Sequence, residues 1–175
     1  MELVIVIAII GLLASIAIPS FLRYQLRARS TEAPTNLAAI ATAQETYYAE
    51  FGTYIGVSSP VPATAPGTGR IPWSAGSGFD TLGWAPEGGV QFQYQINADG
   101  SGGGLTRFTA EARGDIDGNG AASFWGFVKP IRGGGLGGLF PGTTCVGTGV
   151  VAAGSSGNAL EVPGPCDSSS GRTVF

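Results

Sequence analysis

Hydrophobic positions follow three different patterns along this chain. From Leu3 to Ile18 no side chain is charged and only Ser15 carries a hydroxyl, so a helix here has no polar face to turn toward water. Between Leu37 and Phe51 the pattern becomes a stripe. Leu37, Ile40, Ala41, Gln44, Tyr47, Tyr48 and Phe51 recur every three or four residues, with Glu32, Asn36, Thr42, Thr46 and Glu50 mainly opposite, which predicts an amphipathic helix packed on something. From Val90 the period drops to two. Val90, Phe92, Tyr94 and Ile96 alternate with Gln91, Gln93 and Gln95, which predicts a half-buried strand. A second alternation runs from Leu105 to Arg113, across a turn holding Asp99 and Gly100, and a third strand is expected over Ser123 to Lys129. Three sequential strands with tight glycine turns make an antiparallel meander, one face of which covers the helix.

The first two patterns join into one rod. Pro19 and Pro34 fall inside it, each removing a backbone donor and crowding the carbonyl four residues back, and Gly52 is a suitable terminator after Phe51. The apolar run through Phe21 falls just short of the roughly twenty residues that cross a bilayer core. The fold class is therefore α+β: a long N-terminal helix, apolar in its first half and amphipathic in its second, packed on an antiparallel meander. The division expected is residues 1–27 as a protruding anchor and 28–175 as a globular head. Residues 57–86 are rich in Gly, Pro, Ser and Thr and read as a long surface connection pinned by Trp73, Phe79 and Trp84. Hydroxyls beside its prolines, Ser58, Ser59 and Thr64, could accept O-linked sugars; no N-x-[ST] sequon occurs. Past Pro130 comes a glycine-rich stretch, Gly133 to Gly138, and a polar tail.

Composition narrows the chemistry. Thirty glycines and eleven prolines with only 12% charged residues describe a loop-rich but folded chain, since disorder goes with high charge and few aromatics. After residue 30 there are six basic against eleven acidic side chains, a net of −5, so the head offers no basic footprint for nucleic acid. Arg23, Arg27 and Arg29 instead follow the apolar run, placed either to meet acids on other molecules or lipid headgroups or to form an ordinary solvated helix face. The chain has no histidine, which removes the commonest general base and zinc ligand. Its carboxylates are scattered, no nucleophile elbow or phosphate loop is present, and the single lysine, Lys129, sits at a strand end before a proline. These features predict a non-enzyme. Cys145 and Cys166 either form a disulfide, which closes a loop of about twenty residues, stabilises the fold by roughly 3 kcal/mol and implies an oxidising compartment, or remain free thiols.

Glu2 is the oddest residue. A carboxylate at the edge of an apolar helix costs on the order of 2 to 3 kcal/mol near a bilayer centre and calls for a cationic partner. Gly11 weakens the helix by about 0.8 to 1 kcal/mol relative to alanine, so with Pro19 it marks out a segment prone to unwinding. The run from Glu2 through Pro19, an acid followed by LVIVIAIIGLLASIAIP, resembles the N-terminal segment of mature type IV pilins and of the related pseudopilins of type II secretion. Glu2, Gly11 and Pro19 fall where that family places its assembly glutamate, its helix-loosening glycine and its helix-breaking proline. The resemblance covers roughly residues 1 to 30, weaker to Tyr54. The family's mature chains begin with an N-methylated phenylalanine and two more residues before the position of Met1, so this sequence starts three residues into the pattern, without the leader.

The resemblance implies a structural subunit of a helical homo-oligomeric filament, made in the bacterial inner membrane, handed to a pilus assembly machinery and displayed outside the cell. Such filaments serve adhesion, twitching motility or DNA uptake. It implies that Glu2 neutralises the N-terminal amine of a neighbouring subunit. The alternative is a type II secretion pseudopilin, which the long glycine-rich C-terminal part disfavours. Aromatics at helical spacing (Phe21, Tyr24, Tyr47, Tyr48, Phe51 and Tyr54) are read as packing residues rather than an electron path.

One further motif lies between the second and third strands. Asp115, Asp117 and Asn119 place oxygen ligands at alternate positions before Gly120, as an EF-hand loop begins, so calcium is the one metal the sequence suggests. The twelfth position is Gly126, however, and the bidentate glutamate is missing. The plainer reading is a hairpin turn.

Overall fold

A computed structural model describes residues 2–74, 76–98, 107–130, 145, 150–151 and 158–175. The expected turn at Asp99 and Gly100, the strand start at Leu105 and Thr106, the Gly133 to Gly138 run and Met1 lie outside the described residues.

Helix α1 (Glu2–Ser30) passes through Gly11 and Pro19 without a break, and α2 (Glu32–Phe51) follows after Thr31. Pro34 explains where the rod divides. It has no N–H for the Ser30 carbonyl, and the interruption falls at Thr31, whose backbone stays helical at φ −66°, ψ −15°. Hydroxyls bridge the weak point: Ser30 donates to the Arg27 carbonyl at 2.8 Å, Thr31 to Ala28 at 2.7 Å and Thr35 to Thr31 at 2.8 Å. Gly52 ends α2 in the left-handed region at φ 69°, its N–H returning to the Tyr48 carbonyl.

The sheet has five strands in the order β1 (Val57–Val61), β4 (Gln93–Ala98), β5 (Phe108–Gly114), β6 (Ser123–Lys129) and β9 (Gly164–Pro165), with every neighbouring pair antiparallel. The meander is its centre. Between β1 and β4 lie the short pair β2 (Ile71–Pro72) and β3 (Gly89–Val90) and the one-turn helix α3 (Gly78–Leu82); β7 (Val150–Val151) pairs β8 (Asn158–Ala159) near the C-terminus. The expected third strand coincides with β6.

Three expectations are corrected. Residues 57–86 are not wholly a surface connection, because Val57–Val61 forms the edge strand, with Val57 and Val61 buried; Pro60 is tolerated there because an edge strand need not donate on both sides. The first strand does not run continuously from Val90 to Ile96. Val90 pairs with Ile71 in the small sheet, and the main sheet takes the chain up only at Gln93. Nor do the alternating glutamines face water: Gln91, ahead of β4, and Gln93 and Gln95 within it are all buried. Gln93 Nε2 donates to the Pro62 carbonyl at 2.8 Å and Gln95 Nε2 to the Ser58 carbonyl at 2.7 Å, so the glutamines stitch β4 to the edge strand's flank.

Register assigns the two faces. Tyr94, Ala112 and Trp125 stand in one cross-strand row, and Ile96, Ala110 and Phe127 in the next. This face receives Ala33, Leu37, Ile40 and Ala41 of α2 to form the main core. The other face carries Thr109, Glu111, Phe124, Gly126 and Val128, and the disulfide between Cys145 and Cys166 packs on it with Val150 and Phe124. Their Cα atoms are 4.7 Å apart. The aromatics of the connection do pin it: Trp73, Phe79 and Trp84 contact one another edge-on or tilted at 5.2 to 5.4 Å between ring centroids, and Trp73 and Trp84 reach Tyr94.

Candidate assembly surface

Two halves of one rod meet opposite environments. In α2 the buried positions Ala33, Leu37, Ile40, Ala41 and Gln44 follow the expected stripe, while Tyr47 and Tyr48 are partly covered and Phe51, expected inward, is exposed at the helix end. Gln44 earns its place in the stripe by a paired contact: its Nε2 donates to the Ile55 carbonyl at 2.6 Å and its Oε1 accepts the Ile55 N–H at 3.1 Å. It thereby satisfies a backbone segment that leaves the helix with no strand partner.

Glu32 and Asn36, expected on the wet face, form a half-buried polar knot. Glu32 accepts the Gln91 N–H at 2.8 Å and ion-pairs with Arg70 at 3.2 Å, and Arg70 also donates to the Gly89 carbonyl at 2.7 Å. Asn36 donates to the Tyr94 hydroxyl at 2.8 Å. Burial, then the nearby Glu32 carboxylate, push the Tyr94 phenol far above its ordinary range, so it stays neutral. At the other end of α2, Lys129 bridges Glu45 at 3.2 Å and Glu161 at 3.3 Å. Burial alone would lower Lys129, but hydrogen bonds to both carboxylates hold it above its usual value. These contacts lock α2 to the sheet. The head is a rigid mount for whatever α1 does.

The apolar half of α1 is uncovered. Leu3, Val4, Ile5, Val6, Ile7, Ile9, Ile10, Leu12, Leu13, Ile16, Ile18, Phe21, Leu22 and Tyr24 are all exposed, none below 52%. Elsewhere among the described residues the exposed large hydrophobics are Phe51, Leu160 and Val162. Coverage begins at Leu26, which packs on the core, and Ser30 is the first buried residue. A contiguous apolar surface of this size marks a membrane or protein contact. By length and composition the helix can cross a membrane, and its most apolar window is wholly uncovered.

The structure places Glu2 in the first turn of α1, where the helix dipole favours an acid. Gly11 has open space on every side: a Cβ added there meets nothing within 4 Å. Among the described residues no contact requires that glycine. Pro19 lies inside the helix, and the segment from Gly11 to Pro19 is helical. Glu2, Gly11 and Pro19 thus share one rod without touching the head.

The Asp115 loop is brought together as a turn. The Asp115 carboxylate accepts the N–H groups of Gly118 and Gly120, each at 2.9 Å; Asp117 accepts that of Asn119 at 3.3 Å, and Asn119 that of Ala121 at 2.6 Å. Gly118 and Gly120 sit at φ 74° and 86°, positions that favour glycine. The neighbouring Ile116 is buried and its N–H donates to the C-terminal Phe175 carbonyl at 3.0 Å.

No protein-family model matches the chain. A curated relative, the type IV major pilin protein PilA of Myxococcus xanthus (strain DK1622), is 36% identical over 97 residues, which is 55% of this chain and 34% of the relative. The aligned stretch therefore spans about a third of that relative's length.

Proposed function

We propose that the chain is a non-enzymatic structural subunit, a major pilin, of a helical type IV pilus on the bacterial surface. Residues 1–27 would anchor it in the inner membrane before assembly and then join the filament's apolar core; residues 28–175 would form the outer sheath. The observation that carries this reading is the uncovered apolar half of α1, beside a head whose described residues bury a core between α2 and the sheet. A surface that hydrophobic calls for cover by lipid or by other protein, and copies of the same helix offer a matching apolar surface. Copies stacked head to tail without closure make a fibre.

Glu2 then has a task, pairing with the amine of a neighbouring subunit, and Gly11 and Pro19 mark where α1 would unwind in the packed bundle. The disulfide and the glycine-rich C-terminal part support a surface pilin over a secretion pseudopilin. Adhesion, twitching motility and DNA uptake are the roles such a fibre would serve. The test is Glu2→Ala in producing cells. Subunits should accumulate in the membrane fraction with no surface filaments; abundant normal filaments would contradict the assignment of Glu2.

The side-chain oxygens of Asp115, Asp117 and Asn119 accept backbone N–H groups of their own loop, and the bidentate glutamate of a calcium loop is missing. We read the loop as a self-closed turn, and titration calorimetry with millimolar calcium should give no binding heat.

A further inference from the structure

The face of the sheet away from α2 carries a cluster that filament assembly does not use. Glu111 on β5 stands opposite Gly126 on β6, and Gly126 opposite Gly164 on β9, two residues before Cys166. This register brings the Glu111 carboxylate and the sulfurs of Cys145 and Cys166 within 4.8 Å of one another, all three residues being at most 1% exposed. Gly126 makes the room. A Cβ there would lie 2.6 Å from Cys145 Sγ and 3.2 Å from Cys166 Sγ, so only glycine lets the sulfurs rest on the strand beside the carboxylate.

Two thiolates and a carboxylate are a ligand set for a borderline-soft divalent cation. Zinc takes sulfur at about 2.3 Å and carboxylate oxygen at about 2.0 to 2.2 Å, and ligand atoms of a tetrahedral site stand roughly 3.5 to 3.8 Å apart by those bond lengths. Meeting that spacing requires the two sulfurs, bonded to each other in the disulfide, to part to about 3.8 Å once the bond is open. We propose that the dithiol form of this protein binds one zinc ion through Cys145, Cys166 and Glu111, and that the ion replaces the disulfide as the clip holding the C-terminal segment to β5 and β6.

The chemistry balances. A dithiol reductant supplies two electrons and two protons, leaving two cysteine thiols and its own disulfide; the ion then displaces both thiol protons to solvent. Glu111 and Cys166 have other interactions in the disulfide form, which the ion would share or replace. The inference stands independently of the pilin reading.

The experiment uses the full chain in detergent micelles, reduced with a phosphine under anaerobic conditions and titrated with cobalt(II) as the spectroscopic substitute for zinc. One equivalent should produce a thiolate-to-cobalt charge-transfer band, bleached by zinc; the oxidised chain should produce none. Cys166→Ser should abolish the band, and Glu111→Gln should weaken binding about tenfold or more. If Glu111→Gln loses the wild-type circular dichroism, Glu111→Asp decides instead, and it should bind severalfold more weakly with the band retained. Zinc should also slow the reaction of the reduced chain with a chromogenic disulfide reagent at least tenfold. The proposal is overturned if the reduced wild type shows no charge-transfer band, or if the Glu111 variant that folds binds with unchanged affinity.

Discussion

Leu12 and Leu37 are the same residue in the same rod, yet Leu12 is 66% exposed and Leu37 is fully buried. The difference lies in their neighbours. Around Leu37, apolar positions form a stripe that one sheet can cover, and polar groups such as Glu32 and Asn36 tie the flanks. Around Leu12, apolar side chains point in every direction, and one packed face could never cover them all. A helix that is apolar all round needs neighbours all round, and the described residues of this chain leave the large apolar side chains of α1 from Leu3 to Tyr24 exposed. The stripe builds the fold, and the all-round pattern sends the chain to other molecules.

The sharpest way to break this comparison is the same truncation in both halves. Leu37→Ala should destabilise the head by about 2 to 5 kcal/mol, from lost burial and the cavity left behind. Leu12→Ala should leave head unfolding, followed by near-UV circular dichroism in micelles, within about 0.5 kcal/mol of wild type. Equal effects would mean that α1 packs on the head. Replacing both cysteines, Cys145→Ser with Cys166→Ser, should lower the head's unfolding free energy by roughly 3 kcal/mol on loop entropy, with the micelle requirement of α1 unchanged. A head that stays as stable as wild type would show that its C-terminal segment needs no staple.

Acid gives the smallest and most localised effect. Burial by itself would raise Asp167, but the hydroxyls and N–H groups of Ser169 and Ser170 bond its carboxylate, at 2.5 to 2.8 Å, and hold it below the ordinary carboxylate value. A depressed folded-state value stabilises the head above the unfolded-state value near 3.8 and is lost as pH falls through the folded-state value. Asp167→Asn should therefore be less stable than wild type at pH 7, with the gap closing below about pH 4. A gap independent of pH would assign the loss to packing instead of charge.

Much of the architecture was legible in the sequence because it rests on local period. The stripe read from Leu37 to Phe51 is placed as read through Gln44, with Phe51 exposed at the helix end, and the expected third strand falls on Ser123–Lys129. What escaped depends on partners distant in sequence. Val57–Val61 reads as a loop because Ser58, Ser59 and Pro60 hide an edge strand, which only Gln93 and Gln95 across the gap reveal. Those glutamines looked wet for the same reason: nothing near them in sequence announces the backbone carbonyls they bond. Glu32 and Arg70 pair across a long loop, and Glu111 meets the disulfide through strand register alone. The residue chemistry of Glu2, Gly11 and Pro19 marked an unpaired acid and a weak helical segment, and the resemblance implied their roles in assembly.

The most direct measurement is electron cryo-microscopy of filaments sheared from cells that produce this chain. The account predicts long, thin fibres with residues 3 to 24 bundled at the axis, Glu2 buried among neighbouring subunits, α1 unwound between Gly11 and Pro19, and the heads outside. Cells that make the protein but yield no fibres containing it, or fibres with α1 on the outer surface, would contradict it.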